Sequence, residues 1–185
     1  MNSANALRCD QAGQKPAAAV LRGHLALTQE NQGNTPWCGP TALALATGQS
    51  YAAACALLRA VAPSCYEPDG PIVTAYWRDL LGGLDHLSIA HATVALPERR
   101  QTLLATVRQG LLVGWYLLRV TDHFLLLRSH GFGLATLHDN RHTGALVTGH
   151  THGRRHVTHA TRLLGGPLAA PPQVIGPRLP VRIWG

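Results

Sequence analysis

The sequence predicts an α+β domain in which helices come first and an antiparallel sheet follows. Apolar residues recur at helical spacing as far as Gln109. From Leu111 onward, short β-rich runs separated by turn formers replace them. Hydrophobic residues make up 46 % of the 185 positions, enough for one core without metal or disulfide staples.

Residues 1–29 read as a lead-in of small residues with a short helix over about Ala17–Leu27, and Gln29–Thr35 as a polar turn. A helix is predicted from Thr41, just after Cys38-Gly39-Pro40, ending at Gly48 as a C-cap would end it. A second should run from Ser50 or Tyr51 to about Ala62, where Pro63 closes it. A third is expected from Pro71 to Gly82-Gly83, and a fourth from Pro97 to Gln109. Strands are expected over Leu111–Val120, His123–Arg128, Leu134–His138 and about His156–Leu164, as a meander. The domain spans 30–165, and the proline-rich residues 166–185 form a tail.

Composition narrows the function classes. The net charge of +7 comes from scattered residues, fifteen Arg and Lys15, with only Arg99-Arg100 and Arg154-Arg155 adjacent. No basic stripe alternates with stacking aromatics, so nucleic acid is not the expected partner. No apolar run reaches the roughly 18 residues of a membrane helix, and the N-terminus lacks a secretory pattern. The four cysteines show neither CxxC pairing nor zinc spacing. Together these predict a cytoplasmic protein that does not engage membranes, with its thiols free for chemistry.

One thiol stands out. Cys38 lies where a polar turn gives way to a helix, and the positive end of the helix dipole favours a thiolate there. Gln32, six residues earlier, can supply a side-chain amide that joins the Cys38 N–H in an oxyanion hole. His123 opens an apolar strand, and a hairpin centred on Gly131 would set Asp139 directly opposite it, as the acid that orients the imidazole. A bulge in that glycine-bearing turn would shift the register, which makes Asn140 the fallback orienter. Cys65, in a Pro-Ser-Cys-Tyr-Glu-Pro loop, is the rival nucleophile, with no helix start after it. Cys55, on an alanine-rich helix face, reads as core, as do Trp77, Trp115 and Tyr116.

The segments Gln32-Gly-Asn-Thr-Pro-Trp-Cys38-Gly-Pro-Thr-Ala-Leu and Asp122-His123-Phe-Leu-Leu-Leu…His-Asp139-Asn140 resemble papain-like cysteine peptidases. The compact layout is most similar to bacteriocin leader-processing (double-glycine) peptidases and their stand-alone bacterial and phage relatives. The resemblance implies a helical half bearing the nucleophile, a sheet bearing His and Asp, and a cleft between them. It also implies that His156–Leu163 is the closing strand. One departure is Asp122, where members of that group often carry Gly. No transporter is attached, and Leu164-Gly165-Gly166 resembles a double-glycine site without suggesting self-processing.

The expected function is hydrolysis of a peptide or isopeptide bond in a protein or peptide substrate, with Gln32, Cys38, His123 and Asp139 as the site. Acyl transfer or amidase chemistry on the same scaffold, and a non-catalytic protein-binding role, are the alternatives. No cofactor and no metal are expected. His138, His142, His150, His152, His156 and His159 read as solvent-facing loop and strand residues, because no cysteine lies near them and no carboxylate follows Asp139.

Overall fold

A computed structural model describes residues 21–167. Five helices and six strands alternate little: α1 (His24–Glu30), α2 (Cys38–Thr47), α3 (Tyr51–Val61), α4 (Trp77–His86), β1 (His91–Thr93), α5 (Leu103–Arg108), β2 (Gly114–Val120), β3 (His123–Gly131), β4 (Leu134–His138), β5 (Thr143–Leu146) and β6 (Val157–Leu163). The helical N-terminal half packs on a six-stranded antiparallel sheet of order β1-β6-β2-β3-β4-β5.

Local chemistry fixes most helix ends. Gly48 caps α2 at φ 69°, a left-handed conformation that glycine adopts without a Cβ penalty. Ser50 begins α3 by accepting the Ala53 N–H, and Thr102 begins α5 by accepting the Ala105 N–H. The third helix differs from expectation. It starts at Trp77, after an irregular segment over Pro71–Tyr76 that ends on an extended Tyr76, and it continues through Gly82-Gly83 to His86. Gly83 is a packing residue, not a stop: a Cβ there would lie 3.0 Å from Leu43 of α2, so its absence lets α4 approach α2 closely. The fourth helix is shorter than expected, since it waits for the Thr102 cap. The part of the lead-in helix expected before residue 21 lies outside the described residues, as does the tail after residue 167. Within them, Leu27 of α1 is fully buried in the same core as α2 and α3, so the packed unit reaches back before residue 30.

The sheet is buried on both faces, which explains the uninterrupted apolar run of β3. Phe124 and Leu126 face the helical half with Leu117 and Leu163. Leu125 and Leu127 face the other way, onto a second core of Leu103 and Val107 from α5 with Tyr116, Leu118, Leu137 and Val157. Alternate side chains of one strand therefore feed two cores. Two short edge strands, β1 and β5, escaped the sequence pattern, being three and four residues long. The meander holds from β2 to β5, but β6 returns to pair with β2 and carries β1 on its outer side. Among the described residues no single helix is long and apolar enough to cross a membrane.

Candidate active site

The site forms where the N-terminus of α2 meets the start of β3. Cys38 is the first residue of α2, and Trp37 ahead of it is extended (φ −71°, ψ 142°) with no side-chain cap, so no neighbouring oxygen satisfies the helix start through capping. Apolar packing holds the helix down on the sheet: Ala42–Ala46 are all fully buried. At the strand end, Thr121-Asp122 makes the turn that pairs Val120 with His123. Asp122 takes φ 53°, the left-handed conformation that glycine favours and aspartate tolerates, which reconciles it with the glycine of the resembled group.

Cys38 and His123 lie side by side, and each side chain favours the charged form of the other. Burial opposes the thiolate, yet the bond to His123, backbone contacts from Phe124 and Gly39 and the charge on His123 outweigh it, leaving the thiol below its ordinary value. Burial likewise opposes the imidazolium, and bonds to Asp139 and Cys38 outweigh it, so His123 titrates above its ordinary value. His123 Nε2 stands 2.9 Å from Asp139 Oδ2, which leaves Nδ1 for the sulfur. The two partners thus shift toward each other, as an ion pair requires.

Asp139 is fully buried and lies just past the end of β4. The expected hairpin centre is off by one residue. The register runs Leu126↔His138 and Leu127↔Leu137, with a bulge between Ser129 and Gly131, so Asp139 is not directly opposite His123. Moving the centre by one residue moves each partner by two, which preserves the face. Asp139 therefore stays within diagonal reach of His123, and the turn closed by its own N–H on His142 O brings the carboxylate home. Its Oδ1 accepts from Arg141 N, His142 N and His142 Nδ1 at 2.8, 2.7 and 3.0 Å, and its Oδ2 accepts from His152 Nε2 at 2.8 Å as well as from His123. Burial raises such a carboxyl, but donation from His123, His152 and Arg141 holds it far below the usual carboxylate range.

Asn140, the fallback orienter, does something else. Its Nδ2 donates to Pro36 O at 2.8 Å, tying the sheet to the segment that leads into Cys38. The histidine reading needs correction: His138 is buried, while His142 and His152 are partly buried against Asp139, so none of the three is a solvent-facing loop residue. Their signal in the sequence was local crowding of histidine after the acid, and no periodicity could have revealed where the loop returns. His138 packs on Trp115, and burial together with the charge of Arg128 pushes it down to about 4. His150 and His156 are exposed, as expected.

Gln32 is not drawn into this group. It sits exposed after α1 at φ 56°, with no hydrogen bond to Cys38, on the rim of a cleft of about 580 Å³ that Trp37, Tyr51, Arg59 and Pro71 also line. Cys55 is buried in the core, and Cys65 is half-buried with Arg78 Nη2 3.5 Å from its sulfur. Trp77 stacks on Phe124, Trp115 packs at the margin of the helical core and Tyr116 is buried.

Gly39 supplies a test of how tightly the nucleophile is held. A Cβ at this position would collide with the Cβ of Ala75. Gly39→Ala is expected to destabilise the chain by about 1–3 kcal/mol, the range for overpacking, and to displace the helix start that carries Cys38. Denaturant melts would measure the first effect, and a fall in Cys38 alkylation rate the second.

Compared with protein-family models, curated proteins and solved structures, the chain matches none.

Proposed function

We propose that the chain is a cysteine peptidase of papain-like architecture that hydrolyses a peptide or isopeptide bond. The observation that carries this reading is the relay of Cys38, His123 and Asp139, built on a helix N-terminus and a strand start that lie 85 residues apart in sequence. A buried carboxylate aimed at one imidazole nitrogen, with a thiol on the imidazole, has the polarity that thiol catalysis needs.

In this reading the Cys38 thiolate attacks the scissile carbonyl, and the electron pair of that carbonyl moves onto oxygen. The Cys38 N–H and the Gln32 amide, brought in from the cleft rim by substrate, receive the oxyanion. When the tetrahedral adduct collapses, the proton on His123 goes to the leaving amine, and the thioester remains on Cys38. Water, losing its proton to His123, then releases the acid. Asp139 keeps Nε2–H in place throughout and stabilises the imidazolium. Substrate would extend from the scissile bond past Trp37, a residue 43 % exposed, into the cleft that Trp37 lines beside Cys38 in the chain. Free Cys38, Cys55 and Cys65 suit a reducing, cytoplasmic setting for such a thiol.

A limiting thiol alkylator near neutral pH tests the reading. Cys38 is expected to be labelled before Cys65, and its rate is expected to persist at pH values below the ordinary cysteine range. His123→Ala should remove that advantage. Equal labelling of Cys38 and Cys65, read by peptide mapping, would count against the proposal.

A further inference from the structure

Asp139 gathers more imidazole than a triad uses. His123 Nε2 and His152 Nε2 stand 2.9 and 2.8 Å from the same carboxylate oxygen, Oδ2, while their rings lie 4.5 Å apart at the centroids. The three atoms fall within 4.8 Å of one another. The second imidazole arrives from the loop between β5 and β6, with His152 itself at φ 59°, and its side chain is only 16 % exposed.

Two imidazole nitrogens and one carboxylate oxygen are the donors that borderline cations accept, whereas Mg²⁺ and Ca²⁺ require more oxygens. A four-coordinate ion with bonds of about 2.0–2.1 Å sets neighbouring donors about 3.3 Å apart, so the two approaches to Oδ2 need widen only by about half an ångström. The outer shell is already built: Arg141 N, His142 N and His142 Nδ1 hold Oδ1 and fix the carboxylate plane.

We infer that His123, Asp139 and His152 bind a divalent transition cation of the zinc class, in competition with the triad. Binding exchanges protons in a defined way. His152 tautomerises from Nε2–H to Nδ1–H and keeps its proton. His123, as imidazolium, releases its Nε2 proton to solvent and keeps Nδ1–H toward Cys38. A metal-bound neutral imidazole is a far weaker acid than imidazolium, so it no longer protonates a leaving amine. The cation therefore acts as a reversible inhibitor, a consequence that rests on the peptidase reading, whereas the binding itself does not.

The test uses the full chain, stripped of metal, titrated with Zn²⁺ by calorimetry and with Co²⁺ by visible absorption. One ion per chain is expected, with the d–d spectrum of a four-coordinate nitrogen and oxygen site and no thiolate charge-transfer band. His152→Gln keeps an amide that can donate to Asp139 but loses the imidazole donor; it and His123→Gln should each weaken binding by at least about tenfold. His150→Ala, in the exposed part of the same loop, should bind as wild type does, and Cys38→Ala at least as tightly, because loss of the sulfur weakens the proton's competition for His123. Circular dichroism and melts establish that each variant is folded. Unchanged affinity in His152→Gln, loss of affinity in Cys38→Ala, or no stoichiometric binding in the wild type would each overturn the inference. Selective alkylation of Cys38 alongside any of these would leave the peptidase proposal standing. Stoichiometric Zn²⁺ binding with indifferent alkylation would do the reverse.

Discussion

Cys38→Ala is expected to abolish thiol-dependent turnover, with a loss on the order of 10⁴–10⁶ in kcat, the scale observed when a nucleophile acting as part of a relay is removed. The substitution removes the thiol that supports the charged form of His123, and neither of the other described cysteines can replace it. Cys55 is buried with its thiol pushed up, first by burial, and Cys65 faces Arg78 away from the relay. The fold should survive, because Cys38 is half-buried at the first helical position, where alanine is a good helix former. A second readout separates chemistry from damage. His123 is raised against the effect of burial by its bonds to Asp139 and Cys38, so loss of the sulfur should lower its titration midpoint while leaving the Asp139 contribution. NMR titration of the imidazole in wild type and variant would show this. A variant that keeps its activity, or one whose His123 midpoint does not fall, would remove Cys38 from the nucleophile role.

Cys38 and His123 were legible in the sequence as candidate site residues because each stands at a local transition. Cys38 stands at a turn-to-helix junction with Gly48 closing the helix, and His123 follows a two-residue turn before a run of four apolar residues. Asp139 was legible through hairpin counting, even with the centre misjudged, because a one-residue error in the centre moves the partner by two and preserves the face. The parts that escaped depend on long-range packing. Pro71 looks like a helix start, but the chain stays irregular to Tyr76, and α4 begins where Leu80, Gly83 and Leu84 fall on the buried face. Gly82-Gly83 looks like a stop, and only the spacing to Leu43 explains why the helix runs through it. The edge strands β1 and β5 are too short to carry a period. His142 meets Asp139 within the β4–β5 turn, three residues on, whereas His152 reaches it because the β5–β6 loop folds back, held in part by Leu104 N on Gly153 O and Leu103 N on Arg155 O. No pattern of neighbours in the chain encodes that return.

The other large effect belongs to Asp139→Asn. The carboxylate is fully buried and accepts from five N–H donors, two imidazoles on Oδ2 and two backbone amides with a third imidazole on Oδ1. An asparagine of the same shape must turn its NH₂ toward one of these sets. Donors then face donors, and the charge that the imidazoles see is gone. Stability should fall by about 3–5 kcal/mol, the scale for breaking a buried charged network by altering one partner. Turnover should fall by about 10⁴, because the imidazole loses the group that holds its tautomer and stabilises its charged form. The pH dependence carries a definite sign. Asp139 is held far below its ordinary value of 3.8 in the folded chain, so the unfolded chain takes up a proton first as acid is added. Its stabilisation is therefore complete above about pH 4 and drains away as pH falls toward the folded value. His123 acts in the opposite direction. It is raised above its ordinary 6.5, so its contribution is complete below that value and is lost as pH rises through the folded one. Wild type should be most stable between these limits, and Asp139→Asn should lose both slopes together, since removing the carboxylate also removes the strongest support of the imidazolium. Urea melts from pH 3 to pH 9 would reveal this. Parallel stability curves for the two proteins, offset but equally sloped, would show that neither the Asp139 carboxylate nor its support of His123 contributes to the pH dependence, and the relay would then lack its third member.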